Sequence, residues 1–242
     1  MVEMLGSKAA VDSCTLPTGF LVDGKIIQDI QFREMAGPEE DIFANRKMSV
    51  SKKFTSIMQN CSLKIGDIED RQKINSLINK MVETDRIYYL IQLRMLSIDP
   101  LLNFQTICPS CQHEDKVVFD LSGIVVKNPP SASELSREIK LPSGNELTLR
   151  VADGKAEEII ERASNEKNAI SLALMSRVES FNGKPVSLSD IINLNMKDRK
   201  FLRAEIEKLE GSIDDAYDAE CPACGHAYKG SVPLAGSDFL DL

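Results

Sequence analysis

The chain has 242 residues, 43% of them hydrophobic and 27% charged, which is material for one large folded core or two smaller ones. Its formal net charge of −8 argues against a broad nucleic-acid-binding face, which needs clustered Lys and Arg. No run approaches the roughly eighteen consecutive apolar residues of a membrane-spanning helix, and the start, with Glu3 and no basic-then-apolar run, lacks the pattern of a secretion signal.

In chain order, residues 1–15 read as a flexible N-terminus, loose or docked at an edge. Leu16-Pro17-Thr18-Gly19 predicts a turn, and residues 20–22 and 25–33 predict a strand pair about Asp23-Gly24. Gly37-Pro38-Glu39-Glu40 predicts a helix start, with proline in the first turn and acid at the positive end of the helix dipole, running to about Asn45. Val50, Phe54, Ile57, Met58 and Cys61 recur at helical spacing, and Ile74, Leu77, Ile78 and Met81 repeat the pattern over 70–82. The next helix, capped by Thr84 or Asp85, is apolar nearly all round and reads as the central buried one. Arg94 inside it needs a partner, and a carboxylate is the expected one. Residues 104–108 and 117–121 predict strands, with Ile124-Val125-Val126 extending their sheet.

Asn128-Pro129-Pro130-Ser131-Ala132-Ser133 marks a linker over 128–136, after which the order begins again. Leu141-Pro142-Ser143-Gly144 echoes the first turn, residues 146–151 alternate as a strand, and Gly154 with Glu157-Glu158 echoes Gly37 with Glu39-Glu40. Ile170, Leu174, Val178 and Phe181 predict a helix that Asn182-Gly183 breaks, and Ser187 or Ser189 starts a short one. Asp198-Arg199 matches Asp85-Arg86 at an offset of 113 residues, on a helix that Gly211 ends. Residues 237–242 form an acidic-apolar tail, read either as a docking peptide anchored by Phe239 and Leu240 or as a frayed end.

One stretch occurs twice at that same offset of 113: Cys108-Pro109-Ser110-Cys111-Gln112-His113 and Cys221-Pro222-Ala223-Cys224-Gly225-His226. Two Cys-x-x-Cys pairs are the signature of a tetrahedral zinc site, because a tight turn with two intervening residues points both sulfurs at one ion. Cys108, Cys111, Cys221 and Cys224 are the expected ligands of one structural zinc. A variant replaces one of them by His113 or His226, and a redox pair within each motif is the other alternative. Between Cys111 and Cys221 lie 109 residues, so the metal would clasp two distant parts of the chain rather than fold a small finger. Free cysteines with a zinc signature fit a reducing cytosol. Cys61 falls on an apolar helix face and reads as core.

Asp-Arg precedes the first cysteine of each motif by 23 residues. The recurring order predicts an α+β fold of two related, duplicated halves, 16–127 and 137–236, each carrying one zinc knuckle. They would dock about a pseudo-twofold axis and be joined by a zinc-ribbon-like four-cysteine site.

With these elements in place the layout resembles the T-even type baseplate family, the baseplate hub and tail assembly proteins of contractile-tailed bacteriophages. The pattern runs through Leu16-Pro17-Thr18-Gly19, Gly37-Pro38-Glu39-Glu40-Asp41, Asp85-Arg86 and the first knuckle. It continues through Asp120-Leu121, Leu141-Pro142-Ser143-Gly144 and Leu149-Arg150 to the second knuckle, covering about residues 16–234. The resemblance implies a non-enzymatic hub component or assembly factor, in the virion tail baseplate or in the host cytoplasm during assembly. Its partners would be other hub or tail proteins, with the tape-measure protein a further candidate.

Two other classes stay open. A zinc-ribbon nucleic-acid accessory module is favoured by Lys116, Tyr228 and Lys229 beside the knuckles and opposed by Glu114, Asp115 and the net charge. A thiol oxidoreductase would use each cysteine pair reversibly. Catalysis otherwise finds little support: four cysteines leave a zinc no open position, and no Gly-rich phosphate loop is present. Adjacent Glu residues on a helix point apart, so Glu39-Glu40 and Glu157-Glu158 read as helix-start electrostatics, and the Asp-Arg pairs as salt bridges or caps.

Overall fold

Strand β1 (Val11–Val22) pairs antiparallel with β2 (Lys25–Arg33) through Asp23 and Gly24, both at positive φ (50° and 76°), a turn whose twist matches its strands. The computed structural model describes residues 9–164, 166–234 and 239, so residues 1–8 of the expected flexible N-terminus lie outside the described residues. Residues 11–15 correct that expectation: they are already strand, with Val11 opposite Arg33 and Thr15 opposite Asp29. Leu16-Pro17-Thr18-Gly19 does not turn the chain either. It is a bulge inside β1, where the register jumps between Thr15 and Phe20 and Gly19 takes φ 77°.

The first half continues with α1 (Gly37–Ala44), α2 (Val50–Cys61), β3 (Ser62–Ile65), α3 (Arg71–Lys80) and α4 (Glu83–Ser97). Strand β3 completes a three-stranded sheet in the order β1-β2-β3. The periodic residues of α2 and α3 face one core: Phe54, Ile57, Met58, Cys61, Ile74 and Ile78 are buried, with Tyr89, Leu90, Ile91 and Leu93 of α4. Each such side chain stabilises the fold by about 1.5–3 kcal/mol relative to exposure. Helix α4 begins earlier than expected, with Val82 at the N-cap, so Thr84 and Asp85 are buried inside its first turn rather than capping it. Arg94 finds carbonyls rather than a carboxylate. Its Nε donates to Phe239 O (3.0 Å), the other nitrogens reach the carbonyls of Asp99 and Leu101, and the guanidinium lies over the Phe239 ring.

After α4 come β4 (Leu101–Ile107) and β5 (Glu114–Asp120), a two-stranded ribbon, and then β6 (Val126–Lys127). Strand β6 does not extend that ribbon; Val126 and Lys127 pair instead with Ile213 and Ser212 of β11 (Ser212–Ile213). The second half holds β7 (Ser136–Lys140), β8 (Glu146–Arg150), α5 (Gly154–Ala163), α6 (Ala169–Met175), β9 (Val178–Phe181), β10 (Lys184–Pro185), α7 (Leu188–Ile192) and α8 (Met196–Glu210). Its sheet has the order β10-β9-β8-β7. Leu141-Pro142-Ser143-Gly144 is the β7–β8 turn, with Gly144 at φ 94°. The helix expected to run from Ile170 to Phe181 stops at Met175: Val178 and Phe181, β-branched and aromatic, pair with Leu149 and Leu147 of β8. A second ribbon, β12 (Ala216–Glu220) and β13 (Ala227–Ser231), follows β11.

Two hydrophobic clusters result, but they do not divide the chain at the linker. Val232, Leu234 and Phe239 join the first cluster, and Val82 joins the second. Of the tail, Phe239 is fully buried, while Ser237, Asp238, Leu240, Asp241 and Leu242 lie outside the described residues.

The halves meet through α5, which lies across α2, α3 and α4. Arg86 Nε contacts Glu157 Oε1 at 2.9 Å. Glu161 accepts the N–H groups of Val50 (2.7 Å) and Ser51 (3.0 Å), capping α2 from the other half, since Ser49 makes no cap bond. Arg177 bridges Glu83 (2.8 Å) and Glu210 (2.9 Å). Helix α1 packs mainly on α2 of its own half, so these contacts are one-sided and the helices do not dock about a twofold axis.

Candidate metal centre

Each Cys-x-x-Cys motif forms the tip of a two-stranded ribbon. In the first, Cys108 N donates to His113 O (2.9 Å) and Gln112 N to Cys108 O (3.0 Å). In the second, Cys221 N donates to His226 O (3.0 Å) and Gly225 N to Cys221 O (2.8 Å). The sequence asks the residue after the second cysteine to take positive φ, and both do: Gln112 at 61° and Gly225 at 69°. Both histidines therefore serve the turns through their backbone carbonyls, and the side chain of His226 stacks on Tyr228.

The topology brings the four cysteines together. Their sulfurs lie within 4.8 Å of one another, with Cys108 and Cys221 buried and Cys111 and Cys224 exposed. Between the knuckles the sulfurs stand 3.8 Å apart for Cys108–Cys224 and 3.6 Å for Cys111–Cys221. Four thiolates about 2.3 Å from a central zinc stand about 3.8 Å apart at tetrahedral angles, so the donor set fits a metal ion.

Four thiols this close cannot all ionise without a cation among them. The N–H of Cys111, with that of Ser110, lowers the Cys108 thiol to about 7. The N–H of His113 favours the Cys111 thiolate, yet the sulfurs of Cys224, Cys221 and Cys108 push that thiol up to about 12. A dication at the centre would remove that conflict.

The ribbons also touch below the sulfurs. The Tyr217 hydroxyl of β12 donates to Thr106 Oγ1 of β4 (3.0 Å), and the Tyr217 ring meets Phe104 edge-on at 5.5 Å. Gly230 lies opposite Tyr217 across the second ribbon, and a Cβ there would overlap the ring. Sequence reasoning passed over Tyr217 and Gly230; an aromatic facing a glycine across a predicted hairpin was the available signal.

The two Asp-Arg stations have matching partners. Asp85 accepts the Thr18 and Gly19 N–H groups of the first bulge (2.9 and 2.7 Å), and Asp198 accepts the Ser143 N–H of the later turn (3.0 Å). Arg86 Nη1 donates to Ile78 O eight residues earlier (3.3 Å) and Nη2 to Thr55 Oγ1 (2.8 Å). Arg199 Nη1 donates to Ile191 O, also eight residues earlier (2.8 Å), and to Ser171 Oγ (3.2 Å). Neither Asp pairs with its neighbouring Arg. Glu39, beyond its helix-start contact with Ala36 N, makes a buried ion pair with Arg33 at 2.9 Å.

The fold and site thus define an α+β chain whose two ribbons converge on a four-cysteine cluster. The family described as T4 bacteriophage base plate protein matches residues 21–233, and the chain belongs to that family. Among curated proteins and solved structures, none matches the chain. No helix among the described residues is long and apolar enough to cross a membrane.

Proposed function

We propose that this chain is a non-enzymatic baseplate hub component or tail and baseplate assembly factor, clasped by one structural zinc on Cys108, Cys111, Cys221 and Cys224. The observation that carries the zinc reading is the cross-knuckle sulfur spacing of 3.6–3.8 Å in a cluster whose four donors leave no open coordination position. When bound, the metal supplies folding energy and no reactive ligand. The chain's own residues then fix the ribbons at their tips through the sulfurs and at their middle through Tyr217 and Thr106.

The matching partners of Asp85-Arg86 and Asp198-Arg199 support a duplicated unit, with 16–127 and 137–236 as its copies and 128–136 as the linker. Membership of the baseplate family supports other baseplate and tail proteins as partners and the virion tail as location. The role as proposed is presentation of surfaces: the clasp holds the ribbons at a fixed angle, and partners dock against that arrangement.

Native mass spectrometry of the purified chain tests the metal, reading one zinc rather than iron per chain and its loss on changing any one of the four cysteines. Disulfides in place of metal would refute the clasp. Proteomic measurement of purified tails against assembly intermediates separates the two roles, since a hub component stays in the finished particle and an assembly factor does not.

A further inference from the structure

The two Asp-Arg stations differ in what covers the arginine. Arg86 is 1% exposed beneath α5 and paired with Glu157. Arg199 is half-buried, bonds only Ser171 and Ile191, and makes no ion pair among the described residues. The helices it bonds and its own carry three exposed apolar side chains: Ile170 (64%), Ile192 (43%) and Met196 (72%). Ile170 adjoins Ser171 and Ile192 adjoins Ile191 in the chain, and Met196 lies one helical turn before Arg199. The shared hydrogen bonds put Ile170 in the place of Phe54 and Met196 in the place of Glu83. Phe54 and Glu83 line the cleft of about 320 Å³ where Ile160 and Glu161 of α5 meet the first half. The second half therefore exposes the face that the first half covers with a helix.

The covering helix has a counterpart as well. Helices α1 and α5 both begin on a glycine directly after the N-cap, and from there Glu40 takes the place of Glu157. Glu40 is exposed and makes no ion pair among the described residues. A Cβ on Gly154 would come within 2.9 Å of Arg86 Nη1 and 3.1 Å of its Cζ, so that glycine lets the guanidinium lie against the helix start. Gly37 has the same gap without an arginine in it: beyond its chain neighbours and its own helix backbone, no atom lies within 4 Å of where its Cβ would be, and its φ is not positive. Pro38 restricts the residue before it, and a glycine there also leaves room for a docking arginine.

We propose that α1 of a second copy of this chain docks on the Arg199 face, repeating between molecules the contact that α5 makes with Arg86 within one. Glu40 pairs with the second copy's arginine, and Gly37 gives it room. The contact is heterologous, because one face gives the helix and a different face receives it. Each added copy leaves one of each free, and the product is a ring if the rotation closes and a filament if it does not. The inference needs the positional match between the halves and depends on neither the metal nor the baseplate role.

Sedimentation velocity on the full chain as purified, from low to high micromolar concentration, tests it. The expected result is growth beyond the monomer in the wild type and a monomer at every concentration for Arg199→Glu, for Glu40→Arg and for Gly37→Leu. The double variant Glu40→Arg/Arg199→Glu regains association. Circular dichroism and native mass spectra confirm that each variant is folded and matches the wild type in metal content before its association is read. A wild type that stays monomeric, or association that Arg199→Glu and Gly37→Leu leave unchanged, overturns the proposal.

Discussion

Arg86 and Glu157 meet at 2.9 Å across the two halves, with the arginine side chain 1% exposed and the glutamate 21%. The pair joins residues 71 positions apart and sits where α5 crosses α2, α3 and α4. Removing one partner of such a pair leaves the other charge buried and costs about 3–5 kcal/mol. Arg86→Ala is therefore expected to lower the urea-unfolding free energy by that order. Arg86→Lys recovers little, because one ammonium cannot reach Glu157, Ile78 O and Thr55 together. Arg199→Ala, at a half-buried site with no ion pair among the described residues, is expected to cost less.

Asp85 carries a pH signature. Burial raises its pKa from 3.8 to about 6, against the opposing N–H bonds from Thr18 and Gly19. Between those values the folded chain holds the proton more tightly than the unfolded chain does. Stability is therefore higher at the acid end and falls as pH rises from about 4 to about 6, by up to about 3 kcal/mol for this group. Glu83 and Glu157, also raised by burial, add slope of the same sign. Chemical denaturation across this range should give a shallower slope for Asp85→Asn, and an unchanged slope would refute the assignment.

Gly154 and Gly37 each open a helix directly after the N-cap but should respond unequally to alanine. At Gly154 the new Cβ presses on the Arg86 guanidinium, and overpacking of this kind costs about 1–3 kcal/mol. At Gly37 the Cβ meets nothing beyond its own chain neighbours, Pro38 among them, so the monomer is expected to lose less than at Gly154. Thermal melts of the two variants at a concentration that holds the chain monomeric make the comparison.

Metal removal is expected to act first on the ribbons. Structural zinc supplies on the order of 10 kcal/mol to small zinc domains, and here the four-cysteine cluster, where the clasp is proposed, and Tyr217 bring the two ribbons together. Cys108→Ser, or treatment with a chelator, should open β4–β5 and β12–β13 to protease before the helices of either cluster. Unaltered protease resistance together with a retained metal would count against the ligand set.

The helices and knuckles were legible because local chemistry dictates them: a 3.6-residue apolar period for α2 and α3, and a tight cysteine turn at each ribbon tip. What the sequence concealed lay in long-range choices. Leu16-Pro17-Thr18-Gly19 and Leu141-Pro142-Ser143-Gly144 look alike, yet one is a bulge and the other a hairpin turn, because β1 runs on past its glycine into a hairpin formed by Asp23 and Gly24. Val178 and Phe181 fit a helical period as well as a strand, and pairing with β8 decided between them. Arg94 needed a partner, as expected, but three carbonyls met the need, one of them 145 residues away. Glu161 gave no local sign that it would cap α2.

The return of Val232, Leu234 and Phe239 into the first cluster separates the order of synthesis from the order of folding. A ribosome that has reached the linker has made every helix of the first half, yet the cluster those helices enclose still lacks three of its members. Its closure waits for contacts of long sequence separation, which form slowly. Until then the apolar surface meant for Phe239 stands open on the nascent chain, and the second half is complete in sequence before the first is complete in space.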